Sequence, residues 1–212
     1  MLEVARRAEE RGLDSVWVTD HVIVPNQANV IYREHMLDPL AILPWLAGVT
    51  RRIALGTSVV ILPYRSPIPV AKLLASVDVL SGGRLIVGAA IGWLEGEFEA
   101  LGVPFKERVS RSEEALELFR TLWTQAHPKI ETKRHRLHDV SVSPMPLQKP
   151  RPPLYVGGNS EAALRRVARS PTAGTRPRRT ATLSSRALTR SVASGRTPDA
   201  TGSPRCRCAS RS

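Results

Sequence analysis

Residues 51–93 limit most sharply what this chain can fold into. They read RRIALGTSVVIL, then SPIPVAKLLASVDVLSGG, then RLIVGAAIGW. The outer two pieces are short and nearly continuous in apolar residues, and the first is β-branched at Ile53, Thr57, Val59, Val60 and Ile61. A strand of alternating polarity is wet on one face, whereas a continuously apolar one has to be covered on both. The middle piece carries helix boundaries: Ser66 in the N-cap position, Pro67 in the first turn and Gly82-Gly83 at the end. An apolar strand, a helix and a second apolar strand make a parallel βα unit.

The same alternation runs along most of the chain. Residues 1–12 form an amphipathic helix with Leu2, Ala5, Ala8 and the following Leu13 in one stripe and Gly12 as its stop. DSVWVTD is a short strand, and DPLAILPWLAGVT a helix with Asp38 as N-cap and Pro39 at the first position. RSEEALELFRTLW is a helix with Ala115, Leu118, Phe119 and Leu122 on one face. HDVSVSPMP reads as a hairpin arm, PPLYVGG as a strand and SEAALRRVAR as a further helix. Repeated βα units leave a doubly wound sheet or a (β/α)8 barrel. No G-x-G-x-x-G follows the first strand, and polar residues end several strands, which favours the barrel. A complete barrel takes roughly 250 residues, and this chain supplies four clear units. The expected fold is α/β, an incomplete (β/α)8 barrel over residues 1–169.

After Arg169 the texture changes. Residues 170–212 contain two leucines, no aromatic residue, nine arginines and one acid, Asp199. Such a segment cannot bury enough apolar surface to offset its ordering entropy and is expected to be a disordered tail. The break falls inside a helix pattern, as an out-of-frame continuation would. The tail also holds most of the net charge of +12. Residues 1–169 carry 22 basic and 18 acidic residues, an ordinary mixed surface that calls for no specific nucleic acid. A non-enzymatic protein whose basic tail binds nucleic acid is the rival of another class. No apolar run reaches membrane-span length, the N-terminal residues carry charges throughout, and both cysteines, Cys206 and Cys208, lie in the tail. A cytoplasmic protein without membrane attachment is the expectation.

Chemistry concentrates at the strand ends. Asp20 and His21 stand side by side where DSVWVTDHV leaves its buried run. Either they face a site, with the carboxylate tuning an imidazole that gives or takes a proton near neutral pH, or Asp20 caps the loop and His21 packs. VGGNSEAAL is a glycine-rich turn into a helix, which binds phosphate through backbone N–H groups or is simply a cap. His135, His138 and Asp139 lack the spacing of a zinc site, so no metal is expected. Ser58 and Ser160 lack the G-x-S-x-G elbow of a hydrolase.

Taken together, RGLDSVWVTDHV, residues 52–93, GEFEALGVPFKER and PPLYVGGNSEAALRRVAR resemble the luciferase-like monooxygenase family, and within it the branch that uses the deazaflavin coenzyme F420. The resemblance covers about residues 1–169. It implies a (β/α)8 barrel lacking its first strand and everything after the fifth βα unit, with residues 170–212 a frame-shifted replacement. It implies an oxidoreductase that exchanges a hydride between F420 and a small organic substrate, with an FMNH2- and O2-dependent monooxygenase as the alternative. An inactive fragment is a further alternative, and intact relatives are expected to be homo-oligomers.

The resemblance also implies roles for particular residues. His21 would handle the proton near the reduced ring, with Glu95 as a second acid and Asp20 contacting cofactor. A non-prolyl cis peptide would fall at Ser58–Val59 and press against the ring, with Thr57 and Ser58 offering polar atoms. Ala90, Ile91 and Gly92 would let backbone approach the ring closely, and Gly157, Gly158, Asn159 and Ser160 would hold the phosphodiester.

Overall fold

A computed structural model describes residues 2–26, 36–157 and 180–183. Helix α1 (Leu2–Glu10) buries Ala5 and Ala8, and Gly12 follows with φ 70°. Strand β1 (Ser15–Val18) leads by way of a long connection to α2 (Pro39–Val49), whose first turn is capped by the Asp38 carboxylate accepting from the Leu40 N–H at 2.7 Å. Next come β2 (Ala54–Thr57), β3 (Val60–Ile61) and α3 (Pro67–Ser81). Gly82, in the left-handed region, ends α3, while Ser66 occupies the N-cap position without a side-chain hydrogen bond. Strand β4 (Leu85–Ala90) precedes a short helix α4 (Glu95–Ala100) and the long α5 (Arg108–Thr124). An antiparallel hairpin, β5 (Ile130–Glu131) with β6 (Arg136–Leu137), and the strands β7 (Leu154–Val156) and β8 (Thr180–Leu183) complete the described elements.

All strands other than the hairpin pair are parallel. β1 lies between β8 and β2, and β4 lies beside β2 and pairs with β7 as well. β3 resumes alongside the far end of β4, Val60 opposite Ala89. Val16, Val18, Leu55, Leu85, Val87 and Ala89 point into the layer formed by α2, α3 and α5 and are buried. α3 packs between α2 and α5, where Trp123 is buried and donates its indole N–H to the Ala71 carbonyl at 2.9 Å. The parallel strands with helices over them make part of a barrel wall, and among the described residues the sheet does not close.

Three sequence expectations differ from the structure. The run RRIALGTSVVIL is not one strand: it breaks at Ser58, at the non-prolyl cis peptide Ser58–Val59, which falls where it was expected. The hairpin lies upstream of HDVSVSPMP, at Ile130–Leu137, because Glu114 on α5 gathers its turn. The Glu114 carboxylate accepts from the Thr132 hydroxyl, the Arg134 N–H and guanidinium, and faces His135 Nδ1 at 3.0 Å. Finally, no element was expected beyond residue 169, yet Thr180–Leu183 pair with β1, Val16 opposite Ala181. Without β8 the outer edge of β1 would present unpaired N–H and C=O groups, and an extended segment that reaches it satisfies them. The helix expected at SEAALRRVAR and the remainder of the tail lie outside the described residues.

Burial alone would raise the Glu114 carboxyl, but the Thr132, Arg134 and His135 contacts outweigh it and hold the group at about 2. A lowered carboxyl contributes stability that is present above the ordinary glutamate range and lost as pH falls toward the folded value. Acid titration from pH 5 to pH 2 is therefore expected to remove stability on the order of 2 kcal/mol through this group. Glu114→Gln should show a smaller loss over the same window in denaturant melts, and an unchanged slope would contradict the assignment.

Among the described residues no helix is long and apolar enough to cross a membrane.

Candidate active site

The two ends of the sheet are built differently. At the ends where the strands start, polar groups are used up in fastening elements together. Glu9 accepts the N–H groups of Arg51, Arg52 and Ile53, and Arg84 donates to the carbonyls of Ala47, Thr50 and Ile53. At the C-terminal ends of β1, β2 and β4 lies a cavity of about 400 Å³, inside the roughly 300–1,000 Å³ range of small-molecule sites.

Small residues supply part of its lining. Ala90, Ile91 and Gly92 continue from β4, and Gly92 has φ 78°, a conformation that favours glycine. A Cβ on Gly92 would also meet the Phe98 ring at 2.8 Å and Ile61 at 2.9 Å, so the turn there has room for no side chain. Ser58 and Val59 approach from the break between β2 and β3, and Gly157 from the end of β7. A Cβ on Gly157 would lie 3.5 Å from both Ala90 and Val59, so the three positions are neighbours in the cavity lining. Trp93, largely exposed, stands at the rim.

The charged groups gather around the ends of β1 and β3 and on α4. His21 lines the cavity and places Nδ1 2.8 Å from Glu97 Oε2. Glu97 is fully buried. Its Oε1 accepts the N–H groups of Val22 at 2.6 Å and Ile23 at 3.1 Å, and its Oε2 also accepts the Tyr64 hydroxyl at 2.8 Å. Burial by itself would raise the Glu97 carboxyl, but hydrogen bonds from His21, Tyr64 and the two amides prevail and hold it below the usual carboxylate range. Burial, reinforced by the Glu97 charge, pushes the Tyr64 phenol well above its ordinary value, so it stays protonated and donates.

Asp20 is buried beside His21. Its Oδ2 accepts the Ile61 N–H at 2.8 Å, and Arg65 spans both its oxygens at 2.8 and 2.9 Å. Arg65 reaches Asp38 as well, at 2.7 Å. Burial pushes the Asp20 carboxyl up, and Arg65 and the Ile61 N–H only partly offset it.

The structure thus brings His21, Asp20, Ser58, Val59, Ala90, Ile91, Gly92 and Gly157 around one cavity, and alters several of the expected parts. Glu95 is exposed on the first turn of α4, and the carboxylate that meets His21 is Glu97, two residues on. Thr57 offers nothing to a ligand: it is fully buried, donates to the Gly88 carbonyl at 2.7 Å and accepts the Gly88 N–H at 2.9 Å. The Asp20 side chain builds the wall by holding Arg65 and Ile61 and has no exposed surface to give a cofactor. The Gly157 N–H is spent on the Ala89 carbonyl at 2.7 Å and cannot hold phosphate. Gly158, Asn159 and Ser160 lie outside the described residues. Glu97, Tyr64 and Arg65 were missed altogether, since each acquires its role from a partner 33 or more residues away.

A second cavity, about 360 Å³, lies between the residue 62–67 turn, α5 and the β5–β6 hairpin. Of the charged groups that line it, Arg134 pairs with Glu114, Arg134 and Arg111 both pair with the nearby Glu107, and Arg65 pairs with Asp20 and Asp38.

Parallel βα units with a small-molecule cavity at the strand C-terminal ends define a barrel-type enzyme domain. The chain belongs to the luciferase-like monooxygenase family, whose sequence model matches residues 1–171. It is 34% identical over 174 residues to an F420-dependent glucose-6-phosphate dehydrogenase of Kineococcus radiotolerans, covering 80% of this chain and 50% of that one. It is 36% identical over 121 residues to an FMNH(2)-dependent dimethylsulfone monooxygenase of Pseudomonas putida, covering 56% and 33%. The crystal structure of monooxygenase RslO1 from Streptomyces bottropensis superposes with a TM-score of 0.71 at 30% identity, covering 80% of this chain and 50% of that one. The chain spans about half the length of the relatives that it matches over most of its own length.

Proposed function

We propose that this chain carries the cofactor-binding part of an F420-dependent oxidoreductase active site, in which a hydride passes between the deazaflavin and a small organic substrate. The observation that carries the reading is the mixed lining of the cavity. Ala90, Gly92 and Gly157, which carry little side-chain bulk, line it together with His21. A flat ring needs such small residues for close approach, and proton exchange needs a group such as His21 beside it. These residues fit the ring of a deazaflavin or a flavin equally well. The relatives favour the former, because the F420-dependent dehydrogenase aligns over 174 residues and the FMNH(2)-dependent monooxygenase over 121.

When bound, the deazaflavin supplies the hydride chemistry. The chain's own residues do the rest of the work attributed to them here. Ala90, Ile91 and Gly92 support the ring, Val59 and Gly157 line the same cavity, and His21 holds or releases the substrate's proton. A cytoplasmic setting, and self-association among its relatives, belong to the same reading.

The cofactor assignment is tested by titrating the purified chain with oxidised F420 and, separately, with FMN, following ring fluorescence. The expected result is a saturable change with F420 at lower concentration than with FMN. Tighter binding of FMN would favour the monooxygenase reading, and no saturable change with either would overturn both.

A further inference from the structure

Glu97 has no part in the reading above, yet it is the most fully engaged side chain at the site. Four groups converge on its two oxygens: the Val22 and Ile23 amides on Oε1, and the Tyr64 hydroxyl and His21 Nδ1 on Oε2. An ionised carboxylate accepts at about four lone-pair positions and donates nothing. Here all four are used. Two of the partners are backbone N–H groups, which can only donate. The third, Tyr64, is buried and protonated. A carboxylate already collecting three donors is most stable as the anion, and an anion at 2.8 Å from a ring nitrogen requires a hydrogen on that nitrogen.

The carboxylate is also rigidly placed. The next residue, Phe98, is fully buried and packs edge-on against Tyr64 at 5.0 Å and Phe105 at 5.1 Å between ring centroids. Through Oε1 the same side chain fixes the backbone that immediately follows His21. Glu97 therefore sets both the ring's orientation and the path of the chain that carries it.

We propose that Glu97 is a positioning residue that locks neutral His21 in the Nδ1–H tautomer, so that protons enter and leave the imidazole through Nε2. This rests on the reading of His21 as the proton-handling group. On taking a proton at Nε2, His21 becomes an imidazolium whose Nδ1–H still points at Glu97. On giving it up, the ring returns to the same tautomer, and Glu97 stays unprotonated throughout. Tyr64 occupies the remaining position on Oε2 and keeps that oxygen from turning toward another donor.

The test is nitrogen NMR of the full chain labelled with ring-15N histidine. There are five histidines, and His21 is identified by the signal lost in His21→Gln. With the ring neutral, the expected spectrum has the hydrogen on Nδ1, although the free side chain favours Nε2–H in water. Glu97→Gln puts an amide where the carboxylate was, which can donate to Nδ1, and is expected to move the hydrogen to Nε2. Tyr64→Phe is expected to leave it on Nδ1. A wild-type spectrum with Nε2–H at His21 overturns the proposal even if Glu97→Gln fails to fold. A folded Glu97→Gln chain that keeps Nδ1–H overturns it as well. Adding F420 to the same samples separates the two readings. A locked tautomer without F420 binding removes the cofactor assignment and supports the lock, whereas F420 binding with the wrong tautomer does the reverse.

Discussion

Gly88→Ala is expected to lower stability by roughly 3 kcal/mol or more, at the upper end of what overpacking a core costs. A Cβ at Gly88 would lie 2.1 Å from the Thr57 carbonyl oxygen, far inside van der Waals contact, and 3.4 Å from Val59. The clashing atom is backbone and cannot swing aside. Strands β2 and β4 would have to separate where Thr57 and Gly88 exchange two buried hydrogen bonds. Leaving such groups unpaired adds to the steric cost. The damage would reach the cavity, because Ser58 and Val59 follow directly. Gly48→Ala is the control: it lies inside α2, with nothing within 4 Å of the added carbon. Denaturant midpoints of the two variants give the comparison. A Gly88→Ala chain as stable as Gly48→Ala would show that the strands do not approach as described.

Asp20→Asn is expected to cost on the order of 3 kcal/mol. The isostere can still accept the Ile61 N–H, but it leaves a partly buried Arg65 without the carboxylate that it spans. Asp38 is half exposed and holds one guanidinium nitrogen, which offsets little of this. Removing one member of a buried pair is costly, while replacing both by apolar groups of similar size often is not. Asp20→Asn with Arg65→Met should therefore recover much of the loss. If the double variant is less stable than Asp20→Asn alone, Arg65 has a role apart from Asp20.

The parallel layer and its covering helices were legible in the sequence because burial on two faces leaves a local mark. Val16, Val18, Leu55, Leu85 and Val87 stand in short apolar runs, and Asp38, Pro39 and Gly82 mark helix ends by their own chemistry. The wall of the site was legible only as a place. That Asp20 and His21 end a strand can be read from eight letters, but that Arg65 comes to Asp20 and Glu97 to His21 depends on how three βα units are stacked. Glu95 and Glu97 are indistinguishable by composition. They differ because Phe98 anchors α4 and so turns Glu97 inward, and that anchoring requires Tyr64 and Phe105 from elsewhere.

Thr57 misled for a related reason. A hydroxyl at a strand end in a barrel reads as a ligand contact, but a β-branched residue opposite a glycine can turn its hydroxyl into the sheet, and here Gly88 takes both its hydrogen bonds. Gly157 is similar: a glycine-rich turn advertises backbone N–H groups, yet the first of them completes the β4–β7 ladder. At β8 composition argued against structure. Thr180–Leu183 sit in a segment poor in apolar residues, and their pairing with β1 follows from an open sheet edge that composition does not register.

If the cavity at the ends of β1, β2 and β4 is the cofactor site, F420 must perturb the residues that line it. Amide NMR of the 15N-labelled chain during titration with F420 tests it most directly. The prediction is a saturable set of shifts at His21, Ser58, Val59, Ile91, Gly92 and Gly157, with the second cavity's Val103, Arg111 and His135 unmoved. Saturable shifts confined to the second cavity, or none at the first, would contradict it.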